Sequence, residues 1–185
     1  MSVSRINVPN ATTVTRILLV PPFVIFLLRG HDAGALAIFA AASISDFIDG
    51  FLARRLGQQT AIGRFLDPLA DKLLAGTAFI LLAARQVLPD WLTVIVISRE
   101  CLIVTGMLLL TMLQVRVEVA PSRIGKWNTA LQLTTVCAAL LVAVVAPSPQ
   151  PPFLAPALAV LYLATATTTI VSGSQYLLRG LLLVS

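Results

Sequence analysis

The stretch Asp46-Phe-Ile-Asp49-Gly50-Phe-Leu-Ala53-Arg54, followed after eight residues by Gly63-Arg-Phe-Leu-Asp67-Pro-Leu-Ala-Asp71-Lys72, holds four of the eight acidic residues of the chain. Asp46 and Asp49 are three apart and Asp67 and Asp71 four apart, so each pair occupies one face of a helix. Two helices presenting these faces to each other would bring four carboxylates to one spot. Like charges so close cannot all stay ionised unaided, so cations are needed to offset them. Carboxylate oxygens are hard ligands that favour Mg²⁺ or Mn²⁺ over zinc, and no Cys or His falls in the stretch. Gly50, Ala53 and Gly63 leave room for a ligand between the helices, and Arg54 suits a phosphate. The set reads as a metal-assisted nucleotide diphosphate site. The bland alternative, a solvated helix end with a few ion pairs, fits poorly, because the flanks are among the most apolar of the chain and ionisable groups in such segments are functional by default.

Composition places that site in a membrane. Over 185 residues the chain is 58% hydrophobic and 11% charged, with a mean hydropathy of +0.94, whereas a soluble domain carries about 25% charged residues. The length allows a single domain, 1–185, with no further soluble module. The net charge of +5 comes from basic residues scattered singly at the ends of apolar runs. That pattern fits anionic lipid head groups and the positive-inside rule, and argues against a nucleic-acid partner. Cys101 and Cys137 lie in apolar runs and read as buried, unpaired thiols. The N-terminus shows no removable signal.

An all-α integral membrane bundle of six transmembrane helices follows, with spans at about 12–28, 33–53, 63–84, 91–112, 127–146 and 153–178, each near the ~20 residues that cross a bilayer. Residues 1–11 form a short cytoplasmic segment in which Asn10 is placed to cap the first helix. Pro21 and Pro22 should kink that helix, and Arg54 to Thr60 should form a basic turn. Arg5, Arg16, Arg54, Arg55, Arg64, Arg116, Arg123, Lys126 and Arg179 fall on one side of this arrangement and only Arg29 and Arg85 on the other. The termini and the carboxylate site therefore face the cytoplasm, with a bacterial inner membrane the natural setting. A small cation transporter is the rival from another class. It would not need Gly50, Ala53, Arg54 and Gly63 at fixed offsets, and the inverted repeat common in transporters is missing.

The pattern D-x2-D-G-x2-A-R-x8-G-x3-D-x3-D, matched here at every fixed position, resembles the signature of the CDP-alcohol phosphotransferase family of phospholipid-synthesising membrane enzymes. The likeness extends to Asn7-Val-Pro9-Asn10 with Arg16, to Ser98-Arg99-Glu100, and to Gly125-Lys126-Trp-Asn128-Thr129 with Gln132. It implies six spans, a homodimer, two divalent metal ions, and transfer of a phosphatidyl group from CDP-diacylglycerol to an alcohol with release of CMP. Carried over by position, Asp46, Asp49, Asp67 and Asp71 would hold the metals and Asp71 would also be the general base. Asp49, Gly50, Ala53, Arg54, Gly63 and Asp67 would bind the CDP-lipid. Arg99, Lys126, Asn128, Gln132 and Arg16 would bind the acceptor.

Two subfamilies compete over the acceptor. Phosphatidylglycerophosphate synthases take glycerol 3-phosphate and typically carry an Arg eight residues after that of the Arg-Glu pair, and a Gly-Lys-x-Lys-Thr motif. Met107 and Asn128 occupy those positions here. The loss of two cations should cost a dianion pocket about 1.5–3 kcal/mol per charge-assisted contact. The Lys-x-Asn-Thr-Ala-x-Gln-Leu run and the Thr-rich segment from Ala164 to Ser174 resemble eukaryotic-type cardiolipin synthases instead, whose acceptor is phosphatidylglycerol. The sequence therefore leans to cardiolipin synthesis, with glycerol 3-phosphate as the alternative.

Among the other charged residues, Arg99 and Glu100 are adjacent, and adjacent helical side chains leave the axis about 100° apart, so they should not neutralise each other on one face. Either each pairs elsewhere or Arg99 reaches the acceptor, and Glu100 reads as structural. Arg16 suits a membrane anchor as well as a substrate contact, and Arg123 and Lys126 also suit lipid head groups. His31 is a loop residue without a metal partner, and Trp91 and Trp127 read as interfacial anchors.

Overall fold

The computed structural model describes residues 8–56, 63–112, 123–145 and 154–184, with side chains described for the same residues except 8–14, 46–71, 107, 110, 111 and 181–184. Six α-helices, and no strand, occur among the described residues: α1 Val8–Leu28, α2 Asp32–Leu56, α3 Gly63–Ala84, α4 Asp90–Met112, α5 Arg123–Val145 and α6 Leu154–Val184. The six expected helical runs are all present, and their ends differ in instructive ways. α1 starts before Asn10, which is therefore interior and not a cap. Pro9 fits the first turn, where a helix needs no backbone N–H. The helix runs unbroken through Pro21 and Pro22. α2 continues through Arg54 and Arg55, so the expected basic turn is partly helical. α5 begins at Arg123 and takes in Gly125 and Lys126. α6 continues past Arg179, because Leu181 to Val184 are apolar and contain no breaker.

The helices alternate in direction, and tight turns mark one end of the bundle. Gly30 sits at φ +72° just past α1. Its N–H bonds to Leu27 O at 3.1 Å and that of His31 to Phe26 O at 2.9 Å, which is a Schellman closure. α3 ends the same way on Gln86, at φ +57°, with Gln86 N to Ala83 O and Val87 N to Leu82 O both at 2.8 Å. Between these turns Arg85 forks onto Asp32, its Nη1 on one carboxylate oxygen and its Nη2 3.1 Å from the other. That hydrogen bond pushes the Arg85 guanidinium pKa above its ordinary value, against a smaller opposing effect of burial.

α1 packs between α2 and α3, α5 lies against α2, α3 and α6, and α4 bridges α3 and α6. The buried core gathers Phe23 and Leu27 from α1, Phe39 from α2, Phe79 and Leu82 from α3, Leu92 from α4 and Leu140 from α5. The Phe23 and Phe39 rings meet at 5.7 Å, tilted by 39°. Ala35, Ala42, Ala78, Ala139 and Ala166 are buried in the same core, and their small side chains allow helices to approach closely.

Beside this apolar core the bundle buries polar side chains and exposes many large apolar ones. Thr93, Asn128, Gln132, Thr135, Thr165, Thr169 and Ser172 are buried, while Leu18, Leu28, Val94, Met112, Val145 and Val160 are each at least 63% exposed. Two helices, Arg123–Val145 and Leu154–Gly180, are long and apolar enough among the described residues to cross a membrane. Shorter apolar stretches occupy Thr15–Leu28, Asp32–Ser45 and Lys72–Ala84. Neither cysteine is paired, as expected, but Cys101, on an outward face of α4, is exposed and Cys137 is only half-buried.

Candidate active site

Both halves of the carboxylate stretch are helical. Asp46, Asp49, Gly50, Ala53 and Arg54 lie on the last turns of α2, and Gly63, Asp67 and Asp71 on the first turns of α3. The spacings of three and four thus fall on helical backbone, the condition for each pair to share a face. The side chains of these eight residues lie outside the described ones. Among the side chains that are described, no group of three His, Cys, Asp or Glu gathers for a metal.

The first described side chain beyond the motif is Lys72, one residue after Asp71. Its ammonium lies 2.9 Å from Glu100 Oε2, which ties α3 to α4. The other oxygen of Glu100 pairs with Arg99 Nη1. The expectation that these neighbours cannot neutralise each other is therefore wrong. The 100° divergence holds for the Cα–Cβ directions, but the arginine stem is long enough to curl back. Nη2 of Arg99 donates to Ser172 Oγ of α6 at 2.8 Å, and the guanidinium carbon stands 5.7 Å from the centre of the Tyr176 ring. A Cβ on Gly173 would come within 3.4 Å of Arg99 Cγ, so glycine there lets the stem lie flush on α6. The Nε of Arg99 is buried without a partner.

One helix over, α5 meets α6 along a polar seam. Asn128 is 0% exposed, with its Oδ1 2.7 Å from Thr169 Oγ1 and 3.2 Å from Thr168 Oγ1. Each threonine hydroxyl has one proton, and carbonyls of α6 compete for it: Thr165 O at 2.7 Å from Thr169 Oγ1 and Ala164 O at 2.9 Å from Thr168 Oγ1. Asn128 Nδ2 meanwhile is buried with no partner. Turning the Asn128 amide by half a turn satisfies the threonines, since Nδ2 then donates to both hydroxyls while these donate to the carbonyls. The amide oxygen is then the buried atom left without a protein partner. Gln132 follows one helical turn later, also buried, with Nε2 unpartnered. Deeper in the seam Thr135 and Thr165 share a hydrogen bond of 2.8 Å.

The acceptor residues expected from sequence are thus only partly gathered. Asn128 and Gln132 share one buried face of α5, while Lys126 is exposed on another. Arg16 is 5% exposed, so a plain anchor in the head-group layer is the wrong reading for it: its position on α1 points it into the bundle. Arg123, Trp91 and Trp127 are exposed, and His31 stands edge-on to Phe26 at 6.3 Å. Sequence reading missed Lys72, Thr168, Thr169, Ser172 and Tyr176 as partners. The signal was present on α6, where polar residues recur every three or four positions from Thr165 to Tyr176.

Comparison with known proteins identifies the family. The family model of CDP-alcohol phosphatidyltransferase matches residues 6–171. The chain is 39% identical over 150 residues to the CDP-diacylglycerol–glycerol-3-phosphate 3-phosphatidyltransferase of Bacillus subtilis, covering 73% of this chain and 77% of that protein. A probable phosphatidylglycerophosphate synthase of Mycobacterium tuberculosis is 37% identical over 181 residues, with 95% and 82% covered. The CMP-forming cardiolipin synthase/mitochondrial hydrolase fusion protein of Schizosaccharomyces pombe is 32% identical over 186 residues, covering 92% of this chain but 30% of the fusion. With the signature intact on α2 and α3 and the match running over nearly the whole bundle, the chain belongs to the CDP-alcohol phosphatidyltransferase family of membrane transferases in phospholipid biosynthesis.

Proposed function

We propose that this protein transfers the phosphatidyl group of CDP-diacylglycerol to glycerol 3-phosphate, forming phosphatidylglycerophosphate and CMP. The observation that carries the acceptor is the higher identity to relatives named as CDP-diacylglycerol–glycerol-3-phosphate 3-phosphatidyltransferase (39%) and as probable phosphatidylglycerophosphate synthase (37%) than to the cardiolipin synthase fusion protein (32%). This reverses the sequence-based leaning towards cardiolipin. Phosphatidylglycerol remains the second reading for a specific reason: Asn128, where a cation is expected for a phosphate dianion, is fully buried and held by two α6 threonines. Mass spectrometry of the lipid formed by purified protein from CDP-diacylglycerol and each acceptor decides between them. Cardiolipin as the sole product would overturn the first reading.

The reacting centre sits on the last turns of α2 and the first turns of α3. An all-carboxylate donor set of Asp46, Asp49, Asp67 and Asp71 fits two hard divalent ions, Mg²⁺ or Mn²⁺, better than any softer metal. Bound there, such ions would neutralise charge on the diphosphate and on departing CMP. Asp71 accepts the proton of the attacking hydroxyl as the new O–P bond forms and the bond to CMP breaks. Gly50, Ala53 and Gly63 leave space for the cytidine, and Arg54 pairs with the nucleotide phosphate. All six helices cross the membrane in this reading, and the exposed apolar side chains on every helix support it. The basic ends face the cytoplasm together with the site, and two copies form a homodimer.

A further inference from the structure

Glu100 carries two cations on one carboxylate, and their identities matter. Lys72 follows Asp71 on the helix that bears the second half of the carboxylate motif. Arg99 is the guanidinium that the acceptor reading assigns to the incoming anion. All three side chains are mostly buried, with 28%, 16% and 10% exposure for Lys72, Glu100 and Arg99. A carboxylate buried to that degree needs one cation for neutrality, and this one has two. The surplus positive charge sits beside the proposed acceptor pocket. Arg99 is further fixed by Ser172 and the Tyr176 ring, and its Nε stays unpartnered.

We infer that Glu100 is a positioning residue for the acceptor: it holds Arg99 against α6, and Lys72 allows it to release one guanidinium nitrogen to an anionic acceptor without leaving a buried unpaired carboxylate. Glu100 touches neither substrate. It acts through Arg99, and it links the acceptor side of the site to the helix turn that carries the proposed base. The inference rests on the acceptor-binding role of Arg99 and holds for either anionic acceptor, glycerol 3-phosphate or phosphatidylglycerol.

Steady-state kinetics of Glu100→Gln in detergent-solubilised, metal-loaded enzyme test it, with the acceptor that the wild type consumes. The acceptor KM should rise on the order of tenfold, as expected for one displaced charge-assisted bond, while the KM for CDP-diacylglycerol stays within about twofold. Glu100→Asp, which keeps the charge, should recover part of the loss. Equal rises in both KM values, or an unchanged acceptor KM, would overturn the inference. Should Glu100→Gln not fold, Ser172→Ala removes the other anchor of Arg99 without disturbing the ion pairs. It should raise the acceptor KM severalfold, and no change there would be equally fatal. A wild type that makes no product from glycerol 3-phosphate but uses phosphatidylglycerol overturns the proposed acceptor alone and leaves this test standing.

Discussion

Replacing Asn128 by leucine should separate recognition from stability. The substitution removes two neutral hydrogen bonds to Thr168 and Thr169, a loss of about 2 kcal/mol at about 1 kcal/mol each. Neither threonine is stranded, because both hydroxyls keep a carbonyl of α6, at 2.9 Å and 2.7 Å. The substitution also removes the unpartnered buried amide atom, whose burial costs about 1–3 kcal/mol, and leucine is close to asparagine in length. Gains and losses nearly cancel, so the thermal midpoint of the detergent-solubilised protein should move by no more than about 4 °C. The acceptor KM, measured by release of CMP, should rise by about tenfold or more, the equivalent of one polar contact to the ligand. Thr135→Val provides the control. It breaks the neighbouring bond to Thr165, so it should lower the midpoint by a similar few degrees and leave the acceptor KM alone. A fall of 10 °C or more in Asn128→Leu would show that the amide exists to join α5 to α6. An unchanged KM would show that its free atom faces no ligand.

Three further outcomes are expected. Gln86 holds a left-handed conformation at φ +57°, which costs a non-glycine residue about 1 kcal/mol, so Gln86→Gly should raise the thermal midpoint by a few degrees with no kinetic effect. A lower midpoint would mean that the side-chain bond from Gln86 Nε2 to Ala83 O, at 3.3 Å, outweighs the relief. Phe79→Ala opens a cavity in the fully buried core and should cost about 3–5 kcal/mol, while the acceptor KM of the surviving folded enzyme stays unchanged; a matching rise in KM would mean that core and pocket are one unit. Chelation with EDTA should abolish phosphatidyl transfer and lower the thermal midpoint, as four unshielded carboxylates repel, and added Mg²⁺ or Mn²⁺ should restore both. Full turnover in chelator would remove the metals from the reaction.

The number and order of the helices could be read from the sequence because apolar runs of helical length are separated by short polar or turn-prone connections. Their ends could not. An apolar helix followed by further apolar residues gives little contrast at its end, so α6 runs on through Leu181 to Val184, while α1 begins ahead of Asn10 because Pro9 is tolerated in a first turn. That the carboxylate stretch falls on helical backbone was legible for a different reason: spacings of three and four are a local signal. The partners of Glu100 and Asn128 come from helices far along the chain, Lys72 from α3 and Thr168 and Thr169 from α6. No local rule joins such residues. The divergence of neighbours on a helix misleads for Arg99 and Glu100 because it describes where side chains begin and not how far they reach.

Direction of travel along the chain explains why the polar groups nevertheless converge. Asp32 at the start of α2 pairs with Arg85 just beyond α3, and Thr93 near the start of α4 bonds to Phe79 O near the end of α3, at 3.2 Å. These contacts, with the two Schellman turns and the paired Phe23 and Phe39, define one closed end of the bundle. At the opposite end lie the first turns of α1, α3 and α5 and the last turns of α2 and α6. Arg16, the carboxylate motif, Lys72, Asn128, Gln132 and the polar run from Thr168 to Tyr176 all fall in those halves, with Arg99 and Glu100 midway along α4. The closed end is stabilised by apolar packing that needs no ligand. The other carries buried amides and a guanidinium nitrogen with no protein partner, which in a membrane cannot be left to bulk water. Under the proposed function, a charged, hydroxyl-bearing substrate entering at that end would satisfy them, which would put ligand-independent packing and chemistry in different halves of the same six helices.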